Sequence, residues 1–264
     1  MIVSHTYRYV FVELPRTGST AIDQELRDLY DGARVGAKHG SYEEFLRTAT
    51  DDEKTYFVFS CIRDPIDDAV SRYFKLKTDH EQRYSHPVKS RYQVGLKRAE
   101  TMLHDGPPDD KKIHRRRLGD RLENRRFRWI RDHDADFPTY FLHYYHLPYD
   151  NWSRLSHHRL DYVIRFEHLE EDFEAVLLKL GIEPVRPLPV RNRTAGKDRE
   201  PWEYYATPAA IRRARRVFGP YMQRWGYELP SAWGDGGPSA WDRTLFTVAS
   251  VPRTFYWRVL RGRV

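Results

Sequence analysis

Tyr9-Val10-Phe11-Val12-Glu13-Leu14-Pro15-Arg16-Thr17-Gly18-Ser19-Thr20 is the stretch from which the rest of this chain can be read. Its first half is apolar, aromatic and β-branched, with only Glu13 interrupting, the pattern of an interior strand of a parallel sheet. Ile22, Leu26, Leu29 and Tyr30 then recur at helical spacing, so the strand hands over to a helix near Ser19 or Thr20. The turn between them offers one glycine for an unusual backbone angle, hydroxyls, a cation and the free N–H groups of a helix start, a combination that suits an oxyanion. A Walker loop is excluded, because it needs two glycines five apart followed by Lys and Ser or Thr, and the chain has no such string. The plainer alternative is that Ser19 or Thr20 only caps the helix.

A second stretch repeats the design. Tyr56-Phe57-Val58-Phe59-Ser60-Cys61-Ile62 reads as another buried strand, Arg63-Asp64-Pro65 follows, and Ile66, Ala69, Val70, Tyr73 and Phe74 form a helical stripe behind Pro65, a residue favoured at the first helical position. Arg63 therefore stands at the carboxyl edge of a strand, where open α/β sheets place their ligands. Its guanidinium can grip a phosphate through two parallel hydrogen bonds, and Ser71 can add a hydroxyl from the helix. The plainer alternatives are an ion pair of Arg63 with Asp64 or Asp67, and a solvent-facing Ser71. Taken together, the two strand ends read as clamps for the two ends of one doubly phosphorylated nucleotide. Strand and helix alternate through residue 181, which predicts an α/β, P-loop-like three-layer fold with a central parallel sheet and helices on both faces.

These motifs resemble the PAPS-dependent sulfotransferases, especially the carbohydrate branch related to the uronyl 2-O-sulfotransferases. In that family a Pro-Lys-Thr-Gly-Gly/Ser-Thr-type loop holds the 5′-phosphosulfate, and an Arg-Asp-Pro string followed by Ala-Val-Ser-x-Tyr holds the 3′-phosphate. The resemblance implies that Arg16, Thr17, Gly18, Ser19, Thr20, Arg63 and Ser71 bind the nucleotide. It continues in the Tyr162–Phe173 region, in Asn192-Arg193-Thr194 and in Tyr204-Tyr205-Ala206-Thr207-Pro208, covering residues 8–228 with only a loose match over 75–160. The polar stretch from Arg191 to Trp202 reads as a loop; in similar enzymes a late loop closes over the nucleotide, which adds Lys197 and Arg199 to the binding residues. Two departures stand out. Arg16 replaces the usual lysine that follows the bridging oxygen of the leaving group, and Glu13 stands where relatives often carry His.

The implied chemistry is in-line transfer of a sulfuryl group from PAPS to a hydroxyl, leaving 3′,5′-adenosine bisphosphate (PAP). Positioning and charge stabilisation dominate such a step, and no metal is expected. Arg16 and His39 are the expected catalytic residues. Lys38-His39 occupies a place similar to the catalytic His of the uronyl enzymes, and a neutral imidazole can take the acceptor's proton. The alternative is a surface-loop histidine among Gly36, Gly40 and Ser41, with Glu43 and Glu44 as substitute bases. His143 with His146, and the doublet His157-His158, lack a third ligand at a recognised zinc spacing. Glu167 and His168 read first as helix-start residues, ahead of a helix carrying Leu169, Phe173, Val176, Leu177 and Leu180 and stopped by Gly181.

Composition agrees with this reading. The chain has 264 residues, 40% of them hydrophobic, a formal net charge of +7 and one cysteine, Cys61, expected to be a small buried hydrophobe. No signal core or apolar run of membrane-spanning length is present, so a cytoplasmic enzyme is expected. The expected organisation is a sulfotransferase domain over 1–230, with 75–135 as the acceptor-binding insertion or lid, and a basic aromatic tail over 231–264. Within the insertion, Lys111 to Arg131 holds ten Lys and Arg against Asp120 and Glu123. Such a run suits an acidic carbohydrate acceptor, or nucleic acid with Phe127 and Trp129 interleaved, or is a solvated helix face; nucleic acid is not the expected partner. A carbohydrate hydroxyl is the leading acceptor, with a lipid or small alcohol, or a catalytically silent nucleotide- or polyanion-binding module, as alternatives. The tail suits an anionic membrane surface, its own domain or a second subunit.

Overall fold

Side-chain alternation decides which way each central strand faces. Tyr9 and Phe11 point to one side of the sheet and Val10 and Val12 to the other, and all four are fully buried, because both sides are covered. The computed structural model describes residues 1–36, 38–40, 42–82, 84–85, 110–150, 160–189 and 194–255. Over these the elements run β1 (Ile2–Ser4), β2 (Tyr9–Val12), α1 (Ser19–Leu29), β3 (Ala33–Arg34), α2 (Tyr42–Thr48), β4 (Phe57–Ile62), α3 (Pro65–Lys77), α4 (Asp110–Asp132), α5 (Phe137–Tyr144), β5 (Tyr162–Arg165), α6 (Leu169–Lys179), α7 (Pro208–Trp225) and α8 (Ala240–Phe255).

The sheet order is β3-β1-β2-β4-β5. β2, β4 and β5 are parallel, with Phe11 opposite Phe59 and Cys61 opposite Ile164. β1 runs antiparallel to both β2 and β3, so the sheet is mixed around a parallel centre. The expected α/β fold is present; the antiparallel hairpin is the departure, and Ile2-Val3-Ser4 is too short a run to announce a strand by its period. β2 also stops at Val12 rather than at Leu14, since the carbonyl of Glu13 is taken by His39 instead of a neighbouring strand.

One face of the sheet packs Tyr9, Phe11, Phe59, Cys61 and Ile164 against Ile22 and Leu26 of α1 and Phe173, Val176 and Leu177 of α6. The other packs Val10, Val12 and Val58 against Tyr42 and Phe45 of α2. Cys61 is fully buried, as expected, and burial pushes its thiol well above the ordinary range, so it is inert.

The chain divides into two compact units: residues 1–65, 147–193 and 214–264 form the first, and residues 66–146 and 194–213 the second. The sheet belongs to the first. There the carboxyl ends of β2, β4 and β5 lie side by side, and the segments that follow them build the site.

Candidate active site

The loop from β2 to α1 is closed by its own hydroxyls. Thr17 Oγ1 and Ser19 Oγ both donate to the carbonyl of Leu14, at 3.0 and 2.8 Å, and both side chains are buried. Their protons hold the turn. Gly18 is the N-cap residue of α1 with φ of 78°, and Arg16 shares the left-handed region at φ of 68°. A Cβ on Gly18 would stand 2.7 Å from Cδ2 of Leu169 and push that side chain aside, and the left-handed angle strains any side chain, so both favour glycine. No side chain caps α1 and its first turn holds no acid, so neither Ser19 nor Thr20 acts as a cap. Of the first-turn amides, that of Ala21 donates to the Gly18 carbonyl at 3.0 Å, while those of Ser19 and Thr20 precede any intrahelical acceptor, and the positive end of the helix dipole is left at the loop. An anion there meets donors and no opposing carboxylate of the first turn.

Arg63 reaches this loop from the end of β4. It is buried, its Nη1 donates to the carbonyl of Arg16 at 3.1 Å, and its guanidinium lies 4.0 Å from the ring centre of Phe166, at the end of β5. The attraction between cation and ring fixes the guanidinium at the adjoining ends of β4 and β5. Glu167 braces the next residue: its Oε1 accepts from the Asp64 amide at 2.7 Å and its Oε2 from the Tyr227 hydroxyl at 3.0 Å. Burial, then the Glu167 carboxylate, pushes the Tyr227 phenol up, so it stays a donor at all ordinary pH. Glu167 is therefore more than a helix-start residue: it ties the β4 and β5 ends together.

His39 comes to the same edge. Its Nδ1 lies 3.1 Å from the carbonyl of Glu13, and since a carbonyl only accepts, Nδ1 carries the proton and the lone pair of the neutral ring sits on Nε2. Burial lowers the His39 pKa below 6.5, opposed in part by that hydrogen bond. The ring is thus neutral near pH 7 with one basic nitrogen free of the Glu13 bond. Lys38 beside it places Nζ 3.4 Å from Thr20 Oγ1 and 3.9 Å from Asp23 Oδ2, bringing a second cation to the exposed hydroxyl of the loop.

A buried charge network supports this corner. Arg34 of β3 donates to Glu13 Oε2 at 2.6 Å and to Asp23 Oδ1 at 2.5 Å, and the Met1 ammonium lies 3.4 Å from Glu13 Oε2. Glu13 Oε1 has no hydrogen-bond partner among the described residues. Glu13, the residue that departs from the family's His, thus anchors Arg34 with its side chain and His39 with its backbone.

The remaining expected residues lie in the second unit. Ser71 is buried on α3 rather than solvent-facing. Lys197 pairs with Asp67, and Arg199 is exposed, 3.9 Å from Asp198. Their loop folds around Tyr204, whose hydroxyl accepts from the Asp198 and Arg199 amides and donates to the Asp198 carboxylate. On α4, Glu123 pairs with Arg72 of α3 and the Arg126 guanidinium lies over Tyr144 at 4.8 Å, whereas Arg121 and Arg128 are exposed. Those two, with Asn124 and the stacked rings of Tyr84 and Phe127, line a cavity of about 260 Å³. His146 is held between the Arg213 guanidinium and the His143 carbonyl. Arg191, Asn192, Arg193, His157, His158, Tyr256 and Trp257, with residues 86–109 of the expected insertion, lie outside the described residues, as do the side chains of 110–120.

Sequence reading passed over Phe166 and Arg34 and gave Lys38 no part in the nucleotide loop. Phe166 had a signal, its place at the end of a parallel strand; Arg34 had none, since its partners are distant in sequence. No curated protein and no solved structure matches the chain. The Sulfotransferase family matches residues 1–228, a span that takes in the loop, Arg63, His39 and the β5 end alike. An uncapped, acid-free helix start gripped by an arginine at the next strand end is what a sulfuryl donor's anionic groups require, and with that match the chain belongs to the sulfotransferase family.

Proposed function

We propose that this sulfotransferase takes its sulfuryl group from PAPS and transfers it to a hydroxyl of a carbohydrate acceptor. The observation that carries the donor assignment is the Arg63 bond to the Arg16 carbonyl, which brings the β4 cation onto the β2–α1 loop. The residues fit a doubly phosphorylated nucleotide: the amides of the loop and first turn receive one anionic end, with Lys38 and Thr20 at its lip, and the Arg63 edge receives another. PAPS supplies an activated sulfuryl group whose bridging oxygen leaves with the nucleotide. The protein's part is to hold charge and move one proton. Arg16, on a strained left-handed residue of the loop, supplies cationic charge to the leaving side, and His39 Nε2 accepts the proton of the attacking hydroxyl.

Support for an acidic carbohydrate comes from the second unit, where Arg121, Arg128 and Asn124 stand beside stacked aromatic rings. Apolar sugar faces stack on such rings, and guanidinium groups pair with carboxylate or sulfate.

Calorimetric titration with PAP beside 5′-AMP and ATP tests the donor. The expected result is preference for PAP by more than about tenfold, reduced by about tenfold to a hundredfold in Arg63→Ala, as loss of a charge-assisted phosphate contact implies. Equal affinity for the three nucleotides would refute the assignment.

A further inference from the structure

The side of α8 turned away from the core carries four large apolar residues in the open: Trp241, Val248, Val251 and Phe255 are 67, 60, 65 and 55% exposed. At the angular step of an α-helix they fall within one arc of about 80°. The opposite side is fastened down. Phe246 and Ser250 are buried, and Arg253 donates to the carbonyl of Pro148 at 2.7 Å. The helix is therefore held with its apolar stripe outward, and it lies beyond residues 1–228, the part that matches the family. A stripe of this kind marks an interaction surface.

Charge selects what covers it. From Ala240 to Val264 the sequence holds Arg243, Arg253, Arg258, Arg261 and Arg263 against Asp242 alone. A second copy docking face to face would set this cationic segment against itself, a repulsive arrangement. An anionic bilayer satisfies both halves: the stripe enters the boundary between headgroups and acyl chains, with an aromatic residue near each end, while the net positive charge of the segment is attracted to anionic headgroups. Spanning is not at issue, because no helix among the described residues is long and apolar enough to cross a membrane.

We propose that α8 is a docking surface for an anionic membrane, lying in the plane of the interface and tethering the enzyme reversibly. Flotation of the full chain with phosphatidylcholine vesicles, with and without phosphatidylserine, at low and high salt tests this. The expected result is flotation with the serine-containing vesicles only, weakened by salt. Trp241→Ser with Phe255→Ser should lower the bound fraction about tenfold, and Val248→Asp should act alike, with unchanged melting curves and PAP affinity. Absence of flotation at low salt, equal flotation with uncharged vesicles, or variants that float as the parent does would each overturn it. So would a concentration-dependent dimer that these substitutions dissociate, since that assigns the face to a second copy.

Discussion

His39 is half-buried, and the two consequences of that burial act in the same direction. Loss of solvent lowers its pKa below 6.5, and the Glu13 carbonyl fixes the proton on Nδ1, leaving the lone pair on Nε2. In the proposed role of His39 the neutral ring is the active form, so activity should hold as pH falls through 6.5 and decline only below it. In His39→Ala the turnover should drop about a hundredfold or more, the usual worth of a positioned base, with PAP affinity unchanged. Stopped-flow or steady-state turnover across pH, beside calorimetry, checks both halves. A catalytically silent binding module would instead show no turnover to lose.

Among the elements, the β2–α1 loop is the one whose shape depends on a distant partner. A Cβ at Gly18 would displace the Leu169 side chain of α6, and the φ of 78° disfavours any Cβ. Gly18→Ala should cost about 2 kcal/mol of stability, from left-handed strain and overpacking together, read as a lower denaturant midpoint. Its PAP affinity should fall as well. The glycine and the anion-loop composition were readable from the sequence, as were the strand-to-helix passages at Ser19 and Pro65, because they are local patterns. What Thr17 and Ser19 do was not, since a hydroxyl in a phosphate loop and one closing a turn look the same until the Leu14 carbonyl is located. The Phe166 platform and the Arg34 network were hidden for a different reason: they join residues that only the sheet order β3-β1-β2-β4-β5 brings together.

For the molecule as a whole, a net charge of +7 and exposed Arg121 and Arg128 should draw a polyanionic acceptor by long-range attraction. With an acidic polysaccharide as substrate, the acceptor KM should rise steeply with added salt while turnover at saturation changes little. A salt-insensitive KM would remove the acidic acceptor from consideration. The family match over residues 1–228 takes in the sheet, the β2–α1 loop and His39 and stops short of α8, so the proposed transfer site and the proposed docking surface lie on different stretches of the chain. Glu13 carries a last implication. Its carboxylate is secured by a guanidinium from β3, a two-residue strand on the outer margin of the sheet, and its carbonyl aims the imidazole. The aim of the proposed proton acceptor thus hangs from the least supported rung of the ladder. Slackening there should register as sluggish turnover while the bulk of the protein still melts where it did before.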